Sequence, residues 1–237
     1  EEGADLIIAV DPDADRCALA VPDPTSETGW SPLSGDQIGS LLGEFLASRG
    51  MKGSLANSIV SSRLLSRIAS AHGLEHHTTL TGFKWIARAP GLGFGYEEAI
   101  GFCPDPGNVR DKDGIATSVV AASLVAALKA QGRSVWDELE RLARLHGLHV
   151  SSPLTFRVEQ IEQIAAGMAR LRAQPPSVLA GSPVVEVSDL SQGYRGLPPT
   201  DGVLVLTEAG DRVIARPSGT EPKLKCYLEV ILPVAEG

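Results

Sequence analysis

The chain has 237 residues, a net charge of −8, and 43% hydrophobic against 21% charged residues. That is an ordinary globular balance, with length for one large domain or two smaller ones. The acidic sign, the lack of any basic tract and the lack of an apolar stretch of about 18 residues speak against a nucleic-acid partner and a membrane span.

The first predicted element is the apolar run Ala4 to Val10, ADLIIAV, read as a buried strand because it is short, branched and bounded by a proline. It runs into Asp11-Pro12-Asp13-Ala14-Asp15-Arg16. Loops at the carboxyl ends of such strands are where open α/β sheets place ligands. Carboxylates this close repel one another unless a cation neutralises them. Asp11, Asp13 and Asp15 offer hard oxygen ligands, which favours Mg²⁺, Mn²⁺ or Ca²⁺ over zinc. The alternative is a solvated acidic turn, a common fate of Asp and Pro. An EF-hand loop is excluded, because its glycine and glutamate positions hold Arg16 and Pro22.

A polar linker is predicted over residues 22–32. Ser34 then caps a helix carrying Ile38, Leu41, Leu42, Phe45 and Leu46 on one face, ended by Gly50. A strand over 55–60, a helix over 63–72 and a strand over 76–80 follow. A short helix is expected over 83–88, and a strand with its loop over 93–100. An alanine-rich helix over 114–131 has Asp113 as its N-cap. Strands alternating with helices predict a mixed, largely parallel α/β sheet domain. From Ser151 the texture changes to a smaller α+β domain. It has a strand, a helix carrying Ile161, Ile164, Ala165, Met168 and Leu171, a strand over 184–187, and a Gly/Pro-rich loop over 193–200. A hairpin joins 203–206 to 213–215, and the last strand alternates Leu224, Cys226, Leu228, Val230 against Lys223, Lys225, Tyr227, Glu229.

Two further loops offer chemistry. Arg216-Pro217-Ser218-Gly219-Thr220-Glu221-Pro222-Lys223 combines a guanidinium, two hydroxyls and a flexible glycine, the parts of a phosphate cradle, though a plain surface turn has the same composition. Gly95-Tyr96-Glu97-Glu98-Ala99-Ile100-Gly101 places adjacent carboxylates between glycines, where they could accept bonds from sugar hydroxyls or simply face water. Lys84, in Thr81-Gly82-Phe83-Lys84-Trp85, could meet a phosphate or sugar oxygen, or be a solvated helix lysine. Cys17, Cys103 and Cys226, widely spaced and odd in number, fit a reduced cytoplasmic protein.

Taken together these segments resemble the α-D-phosphohexomutase superfamily of phosphoglucomutases, phosphomannomutases and relatives, in both order and spacing. Residues 11–16 resemble its magnesium loop, Thr81 to Lys84 and Gly95 to Ala99 its third-domain substrate segments, and Arg216 to Pro222 its fourth-domain phosphate loop. Glu97 to Phe102 and Asp111-Lys112-Asp113-Gly114 most resemble the phosphoglucomutase/phosphopentomutase branch.

The resemblance implies four domains around one cleft, with residues 1–32 the end of the second, 33–147 the third and 148–237 the fourth, the last TATA-box-binding-protein-like. It implies that the phosphoserine-bearing first domain lies outside the chain, which starts at Glu1 without an initiator Met and reads as the carboxyl part of something longer. Ala69-Ser70-Ala71-His72 lacks the context of the family's serine motif and is read as structural. The implied reaction moves a phosphoryl group between the C1 and C6, or C1 and C5, oxygens of a sugar phosphate through a bisphosphate. Asp11, Asp13 and Asp15 would hold Mg²⁺ and Arg16 would act in catalysis. Lys84, Glu97, Glu98, Arg216, Ser218, Gly219 and Thr220 would bind substrate. Ala99 replaces a serine that many relatives carry, which bears on the choice among glucose, mannose and ribose phosphates. The alternative reading is a non-catalytic sugar-phosphate-binding module.

Overall fold

A computed structural model describes residues 3–218 and 221–234. The chain divides into two compact units, the first ending at His146 and the second spanning Gly147–Val234.

Unit 1 begins with an antiparallel meander of β1 (Ile7–Val10), β2 (Cys17–Pro22) and β3 (Trp30–Pro32). The strand β1 was expected to be buried. Instead Ile7, Ile8 and Val10 are 44%, 37% and 46% exposed, because β1 is an edge strand paired only with β2. The segment expected to be a linker contributes β3, which pairs with β2. Next come α1 (Gly35–Ser48), β4 (Ser54–Ser58), α2 (Leu64–Ala71), β5 (His76–Thr79), α3 (Phe83–Ile86), β6 (Leu92–Glu97) and β7 (Gly101–Cys103). The sheet runs β5-β4-β6-β7, parallel except for the antiparallel β7. The unit ends with α4 (Gly114–Ala130) and α5 (Val135–His146), the latter a helix that periodicity reading passed over.

Local chemistry explains the helix starts. Ser34 and Gln37 form a reciprocal capping box at α1, and Asp113 accepts from the Ala116 N–H at 2.8 Å to cap α4. One core joins β2 (Cys17, Leu19, Val21), α1 (Ile38, Leu41, Leu42), β6 (Phe94, Tyr96), α4 (Leu124, Leu128) and α5 (Leu142). Helix α1 lies so close to the sheet that a Cβ on Gly39 would meet the Tyr96 ring at 2.5 Å.

Unit 2 is an antiparallel sheet ordered β8-β13-β12-β11-β10-β9. Its strands are β8 (Leu148–Arg157), β9 (Val178–Leu179), β10 (Ser182–Asp189), β11 (Val203–Thr207), β12 (Arg212–Pro217) and β13 (Lys223–Leu232), with α6 (Ile161–Ala173) following β8. Ile164 and Met168 of α6 pack on Val203, Val205 and Ala215, with Leu224 and Cys226 alongside. A mixed α/β unit followed by a smaller α+β unit is the fold class read from the sequence.

Candidate functional site

The acidic loop links β1 to β2 through a turn in which Ala14 N–H bonds Asp11 O at 2.9 Å and Ala14 has φ 57°. That turn gathers carboxylate oxygens of Asp11, Asp13 and Asp15 within 4.8 Å of one another. The Arg16 N–H donates to Asp11 Oδ1 at 3.0 Å, and this bond holds the Asp11 carboxyl below its usual range. The donor set of three clustered carboxylates fits a hard divalent ion that keeps several waters, as Mg²⁺ does.

The start of α4 presses on this loop. Gly114 N–H donates to Ala14 O at 3.0 Å, and a Cβ at Gly114 would lie 2.6 Å from Arg16 O and 2.7 Å from Ala14 O. No side chain fits there, so glycine is required by close approach rather than by backbone angle. Just before it, Lys112 Nζ lies 3.1 Å from Asp15 Oδ2, 3.6 Å from Asp111 Oδ1 and 5.4 Å from the Phe83 ring centroid. Burial alone would lower the Lys112 ammonium, but Asp15, Asp111 and Glu97 outweigh it and hold the group above its usual value. In the sequence Lys112 stands only within the resemblance to the phosphoglucomutase/phosphopentomutase branch. Its place beside Asp15 comes from chain crossing, not from local spacing.

The loop between β6 and β7 is stitched to the acidic loop. Cys17 N–H donates to Ile100 O at 3.1 Å, and Arg16 and Gly101 form an antiparallel bridge. Glu97 and Lys112 cross over Gly101, where a Cβ would meet Lys112 Cδ at 2.6 Å and Glu97 Oε1 at 3.0 Å. Burial first, then Glu98, pushes the Glu97 carboxyl up, while Lys112 and Arg16 pull it down. Glu97, Lys112, Asp15 and Arg16 therefore form one charge cluster in unit 1.

Glu98 does different work from its neighbour. Its Oε2 accepts from Ser58 Oγ at 3.1 Å and Ser61 Oγ at 3.2 Å, and both serines are buried. Burial pushes its carboxyl up despite those bonds. The side chain anchors the loop after β4. Nearby, Asp36 Oδ1 accepts from Ser62 N–H at 2.7 Å and Tyr96 Oη at 2.9 Å. The serines were not singled out in the sequence, since serine pairs carry no signal until a buried carboxylate meets them.

Lys84 is an exposed residue of α3, its Nζ 5.8 Å from the Trp85 ring centroid. In unit 2, Arg216 is the next-to-last residue of β12, with its side chain along Gly202, whose Cβ would meet Arg216 Cγ at 3.0 Å. Ser218 N–H donates to Lys223 O at 2.8 Å and Ser218 Oγ accepts from Glu221 N–H at 3.3 Å, closing the hairpin. Gly219 and Thr220 lie outside the described residues.

Comparison with known proteins adds lineage to this geometry. Residues 34–145 match the model for phosphoglucomutase/phosphomannomutase, alpha/beta/alpha domain III, and residues 154–233 match that for the phosphoglucomutase/phosphomannomutase C-terminal domain. The chain is 43% identical over 231 residues to a probable phosphomannomutase of Haemophilus influenzae, covering 97% of the chain and 47% of that protein. It is 32% identical over 254 residues to a phosphoglucomutase of Staphylococcus aureus, covering 97% and 45%. The chain thus spans about half the length of the curated relatives it matches. Among solved structures, parafusin, a phosphoglucomutase from Paramecium, superposes with a TM-score of 0.74 at 19% identity, covering 97% of this chain and 42% of that one.

Proposed function

The chain belongs to the phosphoglucomutase/phosphomannomutase family, and we propose that it is the carboxyl-terminal part of a cytoplasmic, Mg²⁺-dependent phosphohexomutase. In this reading residues 1–32 end the family's second domain, 33–147 form the third and 148–237 the fourth. The substrates are glucose, mannose or ribose phosphates, with a sugar bisphosphate as intermediate. A phosphoserine on a segment outside this sequence donates the phosphoryl group to one sugar oxygen and recovers a phosphoryl group from the other.

The observation that carries the proposal is the charge cluster of unit 1. Asp11, Asp13 and Asp15 would hold Mg²⁺, which when bound neutralises negative charge on the transferring phosphoryl group. Arg16 adds a fixed positive charge to the same loop. Lys112, held between Asp15 and Glu97, supplies a second cation that can share a proton or hydrogen bond with a sugar oxygen. Glu97 accepts bonds from sugar hydroxyls; its raised carboxyl makes it a willing proton partner. Glu98 contributes by positioning, through Ser58 and Ser61. Lys84 is a further substrate contact on unit 1. In unit 2 the loop from Arg216 to Thr220 holds a phosphate group.

Calorimetric titration with Mg²⁺ tests the acidic loop. Wild type should bind weakly and Asp13→Asn still more weakly; equal binding by both removes the assignment. Purified chain should not convert glucose 1-phosphate to glucose 6-phosphate, because in this reading the phosphoserine that carries the phosphoryl group lies outside this sequence. Turnover by the pure chain would defeat the phosphoserine part of the proposal.

A further inference from the structure

A cleft of about 420 Å³ opens in unit 1 where the carboxyl ends of α1 and α4 meet α5. It lies apart from the charge cluster. Helix α1 begins with Gly35 abutting the Glu98 backbone, and Arg49, just past its far end, stands about 20 Å along the axis from there.

One wall of the cleft is apolar, built by Phe45, Leu124 and Leu128. The rest carries charge. Glu138 pairs with Arg133 and Arg141, and Glu44 pairs with Arg141. Those two buried carboxylates balance those two guanidiniums. Arg49 is different. Its guanidinium lies over the Phe45 ring, 4.3 Å from the centroid, so the apolar wall holds it in place. Among the described residues it makes no hydrogen bond and no ion pair, in a chain whose net charge is −8. A cation suits the carboxyl end of a helix. A guanidinium anchored on a ring, with its N–H donors unmet, is also preorganised for a planar two-oxygen anion.

The charge count selects the ligand. Three guanidiniums against two carboxylates leave one positive charge, and Glu44 and Glu138 would repel a second negative one. The cleft therefore suits a monoanion. A carboxylate meets the fork of Arg49 with two parallel hydrogen bonds, and an apolar body on the same molecule would cover Phe45, Leu124 and Leu128.

We propose that this cleft binds an organic monocarboxylate with a compact apolar or aromatic body. The inference stands on unit 1 alone and does not rest on the mutase reading.

The test is calorimetric titration of the whole chain with benzoate, with its uncharged analogue benzamide and with acetate. Benzoate should bind about tenfold or more tighter than either, because benzamide lacks the charge and acetate the apolar body. Arg49→Gln should weaken benzoate binding about tenfold or more and leave benzamide binding unchanged. Its side chain is exposed, so the variant should keep the circular dichroism spectrum and the Mg²⁺ affinity of the wild type. Ala127→Phe, which narrows the cleft, should weaken benzoate and benzamide alike. Benzoate binding retained in Arg216→Gln supports the cleft against the loop after β12. Equal affinity for benzoate and benzamide, unchanged benzoate affinity in Arg49→Gln, loss of it in Arg216→Gln, or no benzoate binding by the wild type overturns the proposal.

Discussion

At the scale of residues, two positions couple geometry to measurable energy. Alanine normally exceeds glycine in a helix by about 1 kcal/mol. At Gly114 the sign should reverse, because the new Cβ would strike Arg16 O and Ala14 O, backbone atoms that cannot swing aside. Gly114→Ala should destabilise the protein by about 1–3 kcal/mol and weaken Mg²⁺ binding with it. Urea unfolding and calorimetry read both; a stabilised variant with intact metal binding would show that α4 does not shape the acidic loop. Glu98 makes a pH prediction. Its folded-state carboxyl is raised above the ordinary 4.5 by burial, so the folded protein holds that proton more tightly than the unfolded chain. The resulting contribution is complete below 4.5 and is lost as pH rises through the raised folded value. Glu98→Gln should therefore flatten the fall in stability above 4.5, partly through Glu97, whose carboxyl Glu98 also pushes up. Denaturation midpoints measured across that window, superimposable for the two proteins, would refute the account.

At the scale of elements, α5 is held by charge as well as by Leu142. Arg141 Nη2 reaches Glu44 Oε1 on α1 at 2.5 Å and Glu138 Oε1 at 2.7 Å, and those glutamates are only 7% and 6% exposed. His72, at the end of α2, meets Glu44 at 2.9 Å. Arg141→Met should cost about 1.5–3 kcal/mol in thermal unfolding, since each carboxylate keeps one partner but loses its strongest. A loss under about 0.5 kcal/mol would make the network a surface ornament. This arrangement also shows what a sequence hides. The Ser34 cap of α1 and the Asp113 cap of α4 were legible because their signals are local, whereas the alternation read for β13 missed that its buried residue is Glu229, on the face read as polar. Helix α5 had a local signal as well, Ser134 with Asp137 three residues on and apolar Val135, Leu139 and Leu142, but its buried face includes Glu138, which reads as solvated until Arg133 and Arg141 are seen beside it. The exposure of β1 was not legible, because an apolar run says nothing about how many neighbours a strand has. The three aspartates could be read as one cluster since five residues contain them. Lys112 joins them from almost a hundred residues downstream, and only the fold makes that spacing short.

At the scale of the whole molecule, the division of labour follows the division into units. Every side chain at the acidic loop, with Lys112, Glu97 and the Glu98 anchor, belongs to unit 1, which has its own core from β2 through α5. A unit of this size with a continuous core can fold alone. Unit 2 has its own core beneath α6 and carries the loop after β12. Residues 1–146 expressed alone should therefore keep their secondary structure by circular dichroism. They should bind Mg²⁺ within about twofold of the whole chain, inside the ~0.5 kcal/mol by which independent sites usually add. Asp13→Asn should weaken that binding in the short protein as it does in the long one. Residues 147–234 alone should bind no Mg²⁺ under the same conditions, because none of the three aspartates lies in them. If residues 1–146 folded yet lost the metal, the acidic loop would depend on unit 2, and the assignment of the metal to unit 1 alone would fail.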